Sequence, residues 1–245
     1  DIHTQNVSTF AEYGTTIHTG KHTPMWQNSN QHGLSSIKNN TYIRGAAFYN
    51  KNFHSWQLKA GADFAVAAGF TSTFIIQQAY ADIRYKWFGL WAGNKEIDSS
   101  LLNQQLSSGG LTWSGNARPI PQIAIGIFDY VRIAPKVQLK AELSYGWFTD
   151  TKYQEKHVGD EHSYTRKIKY HHKSFFLRFG KPEGKWLFDI GMSLDAQFGG
   201  YKVRGRDEGD LGNGWKVYGN VLIRQSEGED SPDGEQVWYQ GNYRG

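Results

Sequence analysis

The chain has no cysteine, and only six prolines and two methionines among its 245 residues. Without a thiol there is no disulfide framework, no thiolate metal site and no cysteine nucleophile. Long hydrophobic runs are also missing. No stretch approaches the roughly 18 consecutive apolar residues that a membrane helix needs, and the mean hydropathy is −0.63. A basic, apolar leader is lacking as well. The chain opens Asp1-Ile2-His3, so it is expected to be mature or trimmed. An excess of +4 with a pI near 9.0 is too small and too scattered to suggest a nucleic-acid partner.

What the chain does have is strict alternation over long runs. Val137, Leu139, Ala141, Leu143, Tyr145 and Trp147 share one parity, against Gln138, Lys140, Glu142, Ser144 and Gly146. Trp186, Phe188, Ile190, Met192, Leu194, Ala196 and Phe198 stand likewise against Asp189, Gly191, Ser193, Asp195 and Gln197. A period of two means strands. A globular strand is typically about five or six residues, whereas a tilted membrane-spanning strand takes roughly nine to eleven. A transmembrane barrel also tolerates a hydrophilic average, because alternate residues face a polar lumen and the loops are long. Aromatics make up 15% of the chain, and Trp56, Trp87, Trp147 and Trp186 fall at strand ends, where a bilayer interface selects amphipathic rings. The fold class expected is therefore all-β, an antiparallel transmembrane β-barrel of the bacterial outer membrane.

Nine strands are expected: Val7 to Thr19, Thr41 to Tyr49, Ser55 to Ala68, Ile75 to Lys86, Gly89 to Asn94, Gln122 to Tyr130, Lys136 to Phe148, Tyr170 to Gly180, and Lys185 to Phe198. In the third, Trp56, Leu58, Ala60, Ala62, Phe64 and Val66 point outward. In the fourth, Ala79, Ala81, Ile83 and Tyr85 do. Short links alternate with long ones, except for the short link after strand three, which places the amino terminus on the periplasmic side and the long loops outside the cell. Bacterial barrels are generally even-stranded. Residues 1–245 are accordingly expected to be a single barrel domain from the amino-terminal part of a longer barrel, with about nine or ten of its strands. Within it, 199–245 forms an irregular region in which Trp215 to Arg224 is either a short helix or a strand.

Two segments stand out as candidate ligand surfaces. Asn103 to Gln122 is a loop by its Gly and Pro content. Trp113 offers a face for stacking on sugar C–H groups, Asn116 both a donor and an acceptor, and Arg118 a bidentate partner for a carboxylate. Alternatively this loop folds into the barrel, with Arg118 neutralising lumen acids and Pro119 and Pro121 stiffening the re-entry. The second is Lys152 to Lys173, where Lys167, Lys169 and Lys173 lie among histidines and tyrosines. It suits an acidic polysaccharide or lipopolysaccharide phosphate, or is simply a solvated external loop. No metal is expected, since His157 and His162 sit five apart on a loop and His171 and His172 point to opposite faces. No catalytic residues are assigned. Asp82, Asp189 and Asp195 have no visible pairing at catalytic separation, and neither a GxSxG elbow nor a P-loop occurs. No cofactor is expected.

The run LSSGGLTWSGNARPIPQ (Leu106 to Gln122) resembles the Wzi-type capsule assembly family of outer-membrane barrels, particularly its Bacteroidetes branch. STFIIQQAYADIRYKWFGLWAGNKE (Ser72 to Glu96), HHKSFFLRFG (His171 to Gly180) and LGNGW (Leu211 to Trp215) are similar to the same family in the same order. The resemblance implies a barrel with more strands than are counted here. It also implies a noncatalytic, lectin-like role in attaching capsular or other surface polysaccharide. Outer-membrane lipid, lipopolysaccharide and other outer-membrane proteins are the further partners expected. The alternative is a passive channel or an accessory subunit of a larger outer-membrane complex, because fold transfers more safely than function.

Overall fold

The computed structural model describes residues 6–21, 23–97, 115–158, 162–181, 183–204, 208–212 and 214–223. They form a mostly antiparallel β protein in which nine strands belong to one large sheet. The chain divides into two compact units.

The first unit carries β1 (Val7–Thr16), the four-residue α1 (Met25–Asn28), β2 (Asn40–Phe53), β3 (Trp56–Ala68), β4 (Phe74–Tyr85) and most of β5 (Phe88–Asn94). Its strands neighbour one another in chain order. β2 and β3 are paired over their whole length, from Thr41 opposite Ala68 to Phe53 opposite Trp56. The two-residue link His54-Ser55 needs a left-handed residue, and His54 supplies it at φ 52°. Lys86 does the same at φ 53° before β5.

The second unit carries β6 (Pro121–Ala134), β7 (Val137–Trp147), α2 (Thr151–His157), β8 (Tyr164–Arg166), β9 (Lys169–Gly180), β10 (Leu187–Phe198), β11 (Tyr201–Val203), β12 (Gly209–Asp210) and α3 (Trp215–Ile223). β6, β7, β9 and β10 continue the large-sheet pattern, while β8, β11 and β12 form a separate three-stranded sheet. The segment before β9, read as one loop, thus holds a helix and a short strand. The region after residue 199 holds two short strands and, at Trp215, a helix.

Burial runs opposite to that of a water-soluble sheet. On β3, Gly61, Asp63, Ala65 and Ala67 are buried, while Phe64 and Val66 between them are exposed. The apolar side of the other strands is likewise uncovered, with Ile43 66%, Phe74 58%, Ile123 52%, Phe188 61% and Met192 58% exposed. Polar-side residues of β3, β4 and β6 are closed off, with Asp63, Gln77 and Asp82 at 0% and Gln122 at 1% exposed, whereas on β10 Gly191 and Ser193 are open. The alternation expected from the sequence is realised in burial over Gly61 to Ala68 of β3; β7 is half-buried on both rows from Val137 to Leu143, and on β10 Gly191 and Ser193 are exposed along with Ile190 and Met192.

Two departures matter. β4 carries a bulge: Asp63 opposes Gln78 but Phe64 opposes Ile76, leaving Gln77 as the extra residue. Gln77 and Gln78 therefore both point to the polar side, and Ile75 rather than Ile76 is buried beyond them. The second concerns Ala196 and Phe198, expected to face outward like the rest of their row. They are 1% and 4% exposed, because Val221 of α3 packs over them. The helix covers the last turn of the apolar face on β7, β9 and β10.

Candidate functional site

In the first unit the polar face of β2, β3 and β4 gathers a charge network. Arg44 meets Asp63 in a fork, Nε donating to Oδ1 at 2.9 Å and Nη2 to Oδ2 at 2.5 Å. The same guanidinium lies 3.5 Å from both Glu12 and Glu96, and its carbon stands 5.0 Å over the Phe10 ring. Asp82 accepts from Lys95 Nζ at 2.8 Å and from Arg84 Nε at 3.1 Å. Buried charges of both signs are thus paired, as desolvation requires.

The bulge connects this network to the loops. Gln77 Nε2 donates to the His32 carbonyl at 2.8 Å and to Glu96 Oε1 at 3.1 Å. The Glu96 N–H donates to Gln78 Oε1 at 3.1 Å. The doublet Gln77-Gln78 was the signal in the sequence, since it interrupts an otherwise alternating strand.

The segment that follows β1 folds back over this face. Leu34 packs with Ala65, Ala67 and Ile75, and Ser36 Oγ donates to the Gly69 carbonyl at 2.7 Å. That contact joins the segment to the short link after β3. Onto this segment docks the stretch with the Asn-Ala-Arg-Pro motif. The His32 N–H donates to the Gly115 carbonyl at 2.6 Å, and the Asn30 N–H to Asn116 Oδ1 at 2.9 Å. Arg118 Nη2 donates to the Gly33 carbonyl at 3.4 Å. Its Nε is buried with no hydrogen-bond partner among the described residues. Burial pushes the guanidinium below its ordinary value. Gly33 sits at φ +74°, and a Cβ there would fall 2.7 Å from the Arg118 nitrogen. Asn116 and Arg118 are therefore joined to one backbone turn, Asn30 to Gly33. Trp113 lies outside the described residues.

In the second unit the basic residues separate. Lys167 is exposed, in a left-handed conformation at φ 57°. Half-buried Lys169 stands 6.0 Å over the Phe198 ring. Lys173 is turned to α3, its Nζ donating to the Leu222 carbonyl in the helix's last turn. A cation there answers the free carbonyls and the negative end of the helix. What spacing did not reveal is that β11 joins the basic segment. Tyr201 pairs with Arg166, whose guanidinium stands 4.9 Å over the tyrosine ring. Arg204 stands 6.0 Å over Tyr164.

Further polar pairs line the strands of this unit. Arg178 forks onto Asp189 at 2.7 and 2.8 Å and stands 3.8 Å over the Tyr130 ring. His172 Nδ1 lies 2.8 Å from Asp195 Oδ1, which also accepts from the Tyr170 hydroxyl. Ser144 is opposite His172 in the register, and its hydroxyl donates to Gln122 Oε1 at 2.9 Å. No group of three metal-ligating side chains occurs among the described residues. Comparison with protein families, curated proteins and solved structures found no match.

Proposed function

We propose that this chain is part of an outer-membrane β-barrel that binds or attaches surface polysaccharide without catalysing a reaction. The observation that carries the membrane reading is the exposed apolar face of strands up to 14 residues long, set against a buried, ion-paired polar face. Water penalises such a surface, whereas hydrocarbon favours it. Trp56, Tyr85 and Trp87 cluster at the short-turn ends of their strands, with the first two rings 4.8 Å apart. That placement suits the headgroup zone. The polysaccharide role rests on the resemblance to the capsule assembly family. Its candidate contacts are exposed Lys167 with the Arg166–Tyr201 and Arg204–Tyr164 pairs, which combine positive charge with ring faces. Asn116 and Arg118 act there as the clasp holding a loop in place.

The test is the partition of capsular polysaccharide between cells and medium in a strain lacking the gene and in its complemented parent. Movement of polysaccharide into the medium at unchanged total amount is the expected result. An unaffected cell-bound fraction rejects attachment as the role.

A further inference from the structure

The roof formed by α3 is held at three places. Val221, 1% exposed, seats on Ala196 and Phe198. Lys173 binds the Leu222 carbonyl. Tyr218 is packed edge-on to Tyr145 at 5.4 Å and to buried His171 at 5.8 Å, and burial pushes its phenol up. Beneath the amino-terminal half of this fixed helix a cavity of about 510 Å³ remains. Ile123, Ile125 and Leu143 form its floor and Tyr218 its roof, Trp215 stands at its mouth, and among the described residues Lys169 is the charged one lining it. Its size falls in the roughly 300–1,000 Å³ range of small-molecule sites.

Two relationships identify an occupant. Ile123 and Ile125, 52% and 42% exposed, belong both to the cavity floor and to the uncovered apolar face, so the cavity is continuous with that face. An apolar slot with a cation in its lining matches an amphiphile that has a hydrocarbon chain and an anionic head. Trp215 and Ile223, 87% and 67% exposed at the two ends of α3, give the helix an apolar outer side as well, as expected of a helix lying in a bilayer interface.

We propose that this crevice takes the acyl chain of a phosphorylated membrane lipid, with the phosphate on Lys169. The inference rests on the membrane reading above and is independent of the polysaccharide role.

The probes are phosphatidylglycerol and phosphatidylcholine with brominated acyl chains, each carried in phosphatidylcholine vesicles holding the full chain, with tryptophan quenching as the readout. Leu143→Trp fills the floor. Ile190→Trp adds the same bulk on the apolar face of β10, where Ile190 is 55% exposed. Quenching that saturates at low mole fraction of the anionic probe in the wild type and in Ile190→Trp, but not in Leu143→Trp, is expected. Lys169→Gln, which leaves the cavity open, is expected to reduce the preference for the anionic over the zwitterionic probe by about fivefold. Equal saturable quenching in Leu143→Trp and wild type, or an unchanged headgroup preference in Lys169→Gln, overturns the proposal. Failure of the wild type to float with vesicles overturns the membrane reading instead, and this inference falls with it.

Discussion

Arg44 and Asp63 meet face to face on neighbouring strands, two parallel N–H···O bonds joining a guanidinium to a carboxylate with no solvent exposure. Removing Asp63 takes away the fork and leaves Arg44 only its 3.5 Å contacts with Glu12 and Glu96. Asp63→Ala is expected to lower stability by about 2–3 kcal/mol, measured by urea unfolding in lipid vesicles. Replacing both residues with apolar ones of similar volume is expected to recover most of that loss.

A charge placed on the uncovered face separates a membrane protein from a water-soluble one. Met192 lies midway along β10 and is 58% exposed. Met192→Arg is expected to cost about 2–4 kcal/mol near the bilayer midplane, whereas on a wet surface the change stays within about 0.5 kcal/mol. Equilibrium unfolding from vesicles distinguishes the two values.

Gln77 is the unpaired residue of the bulge, so its deletion preserves the facing of both halves of β4. What is lost is the donor to the His32 carbonyl and to Glu96. The deletion is expected to leave the sheet assembled and to loosen residues 30–37, which limited proteolysis or amide exchange detects. Global unfolding of the deletion variant contradicts this account of the bulge.

Asn116→Ala and Arg118→Ala are expected to raise amide exchange across Asn30 to Gly33 by weakening the clasp, with a stability loss of about 1 kcal/mol each. A polysaccharide-binding defect at unchanged exchange points to direct ligand contact.

The three lysines of the basic segment are expected to differ. Lys167→Gln weakens binding to an acidic polysaccharide and flattens its dependence on salt. Lys173→Gln leaves binding intact and destabilises α3, by about 0.5–1 kcal/mol through loss of its carboxy-terminal cation. Binding isotherms at two ionic strengths and helix-specific exchange report each effect.

That β3, β7 and β10 are long strands was legible because a period of two is a property of the backbone itself, and no distant partner has to be known; how deeply each row is buried was not, and only the second half of β3 alternates cleanly. The covering of Ala196 and Phe198 was not legible either, because it depends on where residues 215–223 come to rest. Arg118 reads from the sequence as a partner for a ligand carboxylate or for lumen acids; its contact with the Gly33 carbonyl, 85 residues earlier, was not legible because it depends on how the two segments meet. Tyr201 and Arg204 fell outside the basic segment because only cross-strand pairing brings them to Tyr164 and Arg166.

The clasp between Asn30 and Asn116 spans 86 residues of chain, whereas β2, β3 and β4 each pair with the next strand across a short link. Closing a long loop loses more chain entropy than closing a hairpin, and its contacts become worthwhile only once both ends are anchored. Hairpins are accordingly expected to zip first and the segment after β1 to be locked down last. Variants at Gly33 or Arg118 are therefore expected to accelerate unfolding while leaving the folding rate nearly unchanged.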